Sequence, residues 1–106
     1  MIDHTLEVLL DLVGVYAFPD GRWVKTEARR VPRTEHQPFG VKYSLTLHDR
    51  NGERILGYDN AHGIAGHRRV AWDHKHQLDQ IRPYRYMDAA TLLADFYADV
   101  DRLFEQ

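Results

Sequence analysis

Four of the seven histidines in this chain, His62, His67, His74 and His76, fall within one short stretch that also holds Arg68, Arg69, Asp73 and Asp79 and follows Asp59. Imidazole changes charge near neutral pH, so two of them can remove one proton and return another at working pH. One ring would take the proton of a ribose 2′-hydroxyl and another would protonate the leaving 5′-oxygen. Arg68 or Arg69 would stabilise the charged phosphorane between them. RNA carries its own nucleophile, so this chemistry needs no cofactor. The same stretch also admits a metal reading. His74 and His76 are two apart, so on a strand both rings would leave one face, and Asp59, Asp73 or Asp79 would complete a nitrogen and oxygen shell for zinc or manganese. That spacing matches no established metal signature. A purely structural reading leaves each histidine in an exposed loop or bonded to backbone carbonyls, and only the density of the cluster argues against it. Gly57, Gly63 and Gly66 fit no phosphate-binding loop and are read as turn residues.

Charge is distributed unevenly around this stretch. Residues 22–42 carry Arg22, Lys25, Arg29, Arg30, Arg33 and Lys42 against Glu27 and Glu35, whereas the chain from Asp88 carries Asp95, Asp99, Asp101 and Glu105 against Arg102. A basic working face and an acidic far side follow, within a net charge of −2. Arg29, Arg30, Lys42, Arg69 and Tyr58 are the candidate RNA contacts. Tyr43, Trp72, Tyr84 and Tyr86 are aromatic groups that would stack on unpaired bases if exposed.

The elements that must position these groups are legible in part. Residues 6–18 are apolar and fit either a helical face or a strand, so periodicity does not decide the first twelve residues. Pro19-Asp20-Gly21 is a turn, and Trp23 to Arg30 alternates as a strand, giving a first hairpin with a bulge at Gly14. Pro32, Pro38 and Gly40 mark a loop. In the second hairpin Val41, Tyr43, Leu45 and Leu47 share one face and Lys42, Ser44, Thr46 and His48 the other; Asn51-Gly52 makes the turn, and Ile55, Leu56 and Tyr58 return. A fifth strand is expected over Arg69–Trp72. Asp88 then caps a helix whose stripe is Leu92, Leu93, Phe96, Tyr97, Val100, Leu103 and Phe104, with Pro83-Tyr84-Arg85-Tyr86 as its lead-in. The fold class is therefore α+β, one domain over residues 1–106: an antiparallel sheet of about four to five strands with a C-terminal amphipathic helix on one face.

Composition bounds the function classes. With 106 residues and no cysteine, the chain has no disulfide, thiolate metal site or cysteine nucleophile, and secretion finds no support. It begins without a basic and apolar leader, and no apolar run approaches the ~20 residues of a membrane span. A cytoplasmic protein without membrane contact is expected. A domain of this size holds a modest core, so an active site should lie in an open groove on a sheet face. Unpaired sheet edges make a homodimer by edge pairing an option.

The segment Leu56-Gly57-Tyr58-Asp59-Asn60-Ala61-His62-Gly63, followed by His67-Arg68, resembles the central motif of TumE-type toxins. Pro83-Tyr84, Asp88-Ala89, Leu92-Leu93-Ala94-Asp95-Phe96 and Asp99-Val100 resemble that family's C-terminal helix. Pro19-Asp20-Gly21, Arg30-Val31-Pro32 and Lys42-Tyr43 also fall where the family has similar residues, so the resemblance covers most of the chain. It implies a cytosolic toxin of a bacterial toxin–antitoxin system, with a cognate antitoxin that is usually a helix-turn-helix DNA-binding protein. It supplies no catalytic set. Asp59, His62, His67 and Arg68 are the candidate catalytic residues because motif and chemistry meet there. His74, His76 and Asp73 are the metal alternative. Three functions stay open: a metal-independent endoribonuclease, a non-catalytic toxin or regulatory module binding a host factor or its antitoxin, and a metal-dependent nuclease.

Overall fold

The computed structural model describes residues 3–35, 37–60, 74–77 and 80–105. In chain order these form α1 (Leu6–Asp11), β1 (Gly14–Ala17), β2 (Trp23–Arg30), β3 (Val41–His48), β4 (Arg54–Asp59), β5 (His74–Gln77), β6 (Gln80–Pro83) and α2 (Ala89–Phe104). All six strands join one antiparallel sheet in sequential order, β1 to β6. The α+β class, the two hairpins and the C-terminal helix are as the sequence predicts.

Three details differ from or refine the sequence reading. The ambiguous first segment contains both alternatives in succession, a six-residue helix and then a four-residue strand. The strand expected over residues 69–72 lies outside the described residues, and β5 starts at His74. Beyond it, Gln80–Pro83 adds a sixth strand that the sequence reading does not include, and it takes in Pro83, the first residue of the expected helix lead-in. Two strands of four residues each carry too few positions to show an alternation, which is why β5 and β6 leave little trace in the sequence.

Alternation along β2 and β3 buries Val24 and Thr26, then Val41, Tyr43, Leu45 and Leu47, toward the helices. Leu56 and Tyr58 of β4 join them, and α2 closes the layer with Leu92, Phe96 and Val100. Each such apolar side chain contributes about 1.5–3 kcal/mol when fully buried. The β3–β4 turn is set at Gly52, whose φ of +88° a side chain would strain, while the Asp49 carboxylate accepts from the N–H groups of Asn51 and Glu53.

The start of α2 is tied to the start of the chain. Asp88 Oδ1 accepts from Thr91 N at 2.7 Å, as a helix cap should. The two preceding N–H groups are taken from elsewhere: Ala89 donates to Asp3 Oδ2 at 2.9 Å and Ala90 to Thr5 Oγ1 at 3.0 Å. Tyr86 donates to the same Asp3 oxygen at 3.2 Å. Orphan helix donors are thus satisfied by residues more than eighty positions away, which locks α1 beside α2.

Candidate functional site

β4 ends at Asp59, itself a candidate catalytic residue and the last strand residue before the stretch that carries His62, His67 and Arg68. Here the sequence Tyr58-Asp59-Asn60 sends its members three ways. Tyr58 is buried beneath α2. Asp59, the next residue, is half-buried on the opposite face, and its register partners are Ser44 on β3 and His74 on β5. Asn60 is buried, and its amide completes the sheet ladder in place of backbone. Its Oδ1 accepts from Tyr43 N at 2.9 Å and its Nδ2 donates to Val41 O at 2.7 Å. Asn60 therefore closes the end of β4 against β3. Nothing in composition or periodicity marks that role; only its place between a strand and a glycine-bearing segment hints at it.

His62, His67, Arg68, Arg69, Trp72 and Asp73 lie outside the described residues. So do the side chains of His74 and His76, whose backbone sits in β5 opposite Asp59 and Gly57. Because Asp59 and His74 are register partners, the segment between them starts and finishes at one end of the sheet.

The basic candidates divide between the two faces. Arg29 and Lys42 are cross-strand partners on the face away from the helices, both exposed, and neither pairs with another charge among the described residues. With Glu27, Ala28, Tyr43 and Ser44 they line a shallow depression of about 430 Å³. They lie at the same sheet end as Asp59, since β2 and β3 align Glu27 with Ser44 and Ser44 with Asp59. Arg30, one residue on, faces the helices and forms an ion pair with Glu7 of α1. Tyr58 likewise faces away from Asp59. Strand alternation thus brings together Asp59, Arg29 and Lys42 and separates them from Arg30 and Tyr58. Of the candidate stacking aromatics, Tyr43 and Tyr86 are buried and stack on each other at 5.4 Å.

Among the described residues the densest polar cluster is on the helix side, where sequence reasoning did not place one. Asp99 of α2 is buried and accepts three donors. Tyr58 OH reaches its Oδ2 at 2.5 Å, Lys75 Nζ reaches the same oxygen at 2.9 Å, and Arg102 pairs with Oδ1. One turn earlier, Tyr84 OH donates to Asp95 Oδ2 at 2.6 Å. Tyr58 and Tyr84 meet edge to face at 4.8 Å, and the Lys75 ammonium sits 5.6 Å from the Tyr58 ring centroid. Burial, reinforced by the Asp95 charge, pushes the Tyr58 phenol up to about 12. Burial and the Asp95 carboxylate raise Tyr84 as well. Burial pulls Lys75 below the ordinary lysine range, and the neighbouring charges of Arg102 and Arg82 pull the same way. These groups line a groove of about 340 Å³. Each charged atom of Asp99 is already satisfied, so the arrangement reads as a fastening of α2 to β4 and β5. Its signal in the sequence is an aspartate between Phe96 and Val100, on the apolar side of the helix.

The molecule is therefore an α+β domain whose helices cover one sheet face, with a basic end on the other face beside the root of a histidine-rich segment. A family model described as Toxin TumE matches residues 5–104, and the chain belongs to this toxin family. It is accordingly the toxin of a toxin–antitoxin pair, with an antitoxin as its partner. No curated protein and no solved structure matches it. Among the described residues no helix is long and apolar enough to cross a membrane.

Proposed function

We propose that this toxin acts in the cytoplasm as a metal-independent endoribonuclease whose reaction centre forms where residues 60–73 join the sheet. The observation that supports it is the register of Asp59 with His74, which roots both ends of the segment bearing His62, His67 and Arg68 beside the exposed Arg29–Lys42 pair. In this reading one imidazole of His62 and His67 takes the proton of the 2′-hydroxyl as its oxygen attacks phosphorus. The other gives a proton to the 5′-oxygen as the P–O5′ bond breaks, leaving a 2′,3′-cyclic phosphate and a 5′-hydroxyl. Arg68 offsets the charge that builds on the phosphorane, and the Asp59 carboxylate holds one imidazole in its working tautomer. The antitoxin, a helix-turn-helix DNA-binding protein in this reading, holds the toxin inactive.

The test is RNA cleavage by purified toxin beside a His62→Ala/His67→Ala variant, each with and without EDTA. Cleavage that survives EDTA, yields cyclic phosphate ends and is lost in the folded double variant is the expected result. A folded wild type that arrests growth and cleaves no RNA overturns the proposal. Cleavage abolished by EDTA and restored by added zinc or manganese moves the chemistry to a metal held by His74, His76 and Asp73.

A further inference from the structure

The sheet face opposite the helices carries more than the Arg29–Lys42 pair. At its far end Trp23 of β2 and His48 of β3, which are register partners, stack flat with ring centroids 3.8 Å apart and planes within 6°. His48 is fixed in that position from both ring nitrogens: Nε2 lies 2.8 Å from Thr46 Oγ1 and Nδ1 lies 3.3 Å from Gly52 O. Between the two ends run Lys25, Thr46 and Ser44, with Lys25 paired to Glu27 at 2.7 Å. Arg54 enters from β4. A Cβ at Gly57 would stand 3.4 Å from Arg54 Cδ, so the arginine stem lies across the bare backbone of Gly57. Arg29, Lys42 and Arg54 are all exposed and make no ion pair among the described residues. No described element packs over this face.

We infer that this face is a track for single-stranded RNA, with the Trp23–His48 pair stacking an unpaired base at one end and Arg54, Arg29 and Lys42 holding phosphates along the way. The inference rests on the reading of the toxin as RNA-directed and assigns the substrate class as unpaired rather than duplex RNA. Two physical features select this occupant. Among the described residues the face has a cationic excess, with Lys25, Arg29, Lys42 and Arg54 against Glu27 and Asp59, and these carboxylates lie next to a lysine or at the proposed reaction end. It also offers a rigid planar ring pair, which suits a splayed base and not the sealed stack of a duplex. From Trp23 to Arg29 is six strand residues, about 20 Å at ~3.3 Å per residue, long enough for several nucleotides to run from the ring pair to the root of the histidine segment. Alternation excludes Arg30 and Tyr58 from the track, since both face the helices.

The experiment separates binding from cleavage. The probe is fluorescein-labelled 2′-O-methyl decauridylate, which lacks the nucleophilic hydroxyl and reports binding by anisotropy. Trp23→Ala should weaken binding about tenfold, while Trp23→Phe, which keeps an aromatic plane, should recover most of it. In a Trp72→Phe background the remaining Trp23 fluorescence should be quenched on saturation. Replacing Arg29, Lys42 and Arg54 together by Gln should flatten the slope of log K against log salt by about 2, since each phosphate contact to a single strand contributes ~0.7. Circular dichroism and thermal unfolding show that each variant is folded. Binding unchanged in folded Trp23→Ala and in the triple variant overturns the track, whatever becomes of the nuclease. Loss of antitoxin binding in these variants with RNA binding untouched overturns it in favour of a protein-contact face. Strong binding of the probe by a toxin that cleaves no RNA retains the track and removes the nuclease proposal.

Discussion

Asp99→Asn should cost this domain about 2–4 kcal/mol, and the sum can be built from its three donors. Lys75 is the main one. Its side chain is 22% exposed and its ammonium lies 2.9 Å from a carboxylate that is itself buried, so losing the charge forfeits a charge-assisted bond of about 1.5–3 kcal/mol. Arg102 is 66% exposed, rehydrates freely and adds at most a few tenths of a kcal/mol. Tyr58 keeps an acceptor in the asparagine oxygen, but a neutral one, at a further cost of roughly 0.5–1 kcal/mol. For a domain of about 100 residues each kcal/mol moves Tm by roughly 4–8 °C, so the variant should melt at least about 8 °C lower. Urea unfolding at pH 7, with the slope m compared between variants, gives the free energy directly. Adding Lys75→Met should return part of the loss, because the half-buried ammonium no longer lacks its counter-charge. At a temperature where it is folded, Asp99→Asn should still arrest growth. A loss below about 1 kcal/mol at unchanged m refutes the fastening role. A variant of full stability that has lost toxicity would move this network into the reaction site.

Two further perturbations test the ends of α2. In wild type the Tyr58 phenol titrates at about 12 instead of 10.0, so its contribution is complete below the unfolded value and is lost as pH rises from 10 to 12. The stability difference between wild type and Tyr58→Phe, measured by urea unfolding, should therefore shrink across that window; Lys75 titrates in both proteins and cancels in the difference. Asp3 behaves in the opposite sense. Burial alone would raise its carboxyl, but the hydrogen bonds from Thr5, Ala89 and Tyr86 hold it below 3.8. Its contribution is present above that value and is lost as pH falls through the lower folded value. Asp3→Ala should cost about 1–2 kcal/mol at neutral pH, with the gap to wild type narrowing as pH falls below 3.8.

What the residues disclosed of the fold follows from how far each signal extends along the chain. Eight alternating positions in β3 and a sixteen-residue stripe in α2 repeat their pattern often enough to be read, as do the Asn51-Gly52 turn and the Asp88 cap. β1, β5 and β6 are four residues each, and their place is decided by partners in the sheet and not by their own sequence. Distance hides other features. Asp3 and Thr5 cap a helix that begins at residue 89, and no local rule links them to it. The site was legible as chemistry and less so as geometry. Arg29, Arg30 and Lys42 belong to one basic stretch and Tyr58 to the family motif; the register makes Arg29 and Lys42 neighbours, and alternation turns Arg30 and Tyr58 away. Asn60 escaped notice because an asparagine that imitates a strand looks, in sequence, like any turn residue.

The two faces handle their cations differently, and that contrast is the strongest physical argument for where the toxin works. On the helix side every described cation close to the core is spoken for: Arg30 by Glu7, Lys75 and Arg102 by Asp99, with Arg22 held by Asp20 at 3.1 Å and set over the Phe104 ring. Such pairs settle packing and leave little field outside the protein. On the open face Arg29, Lys42 and Arg54 have no counter-charge among the described residues. Grouped cations without partners repel one another slightly and contribute nothing to folding, but their potential extends into solvent over roughly a Debye length, about 8–10 Å at physiological salt. An anionic chain approaching the sheet would meet that field first and would be drawn toward the end where the histidine segment is rooted. Substitutions on the helix side should therefore act through stability, and those on the open face through what the toxin captures, with the folded domain left intact.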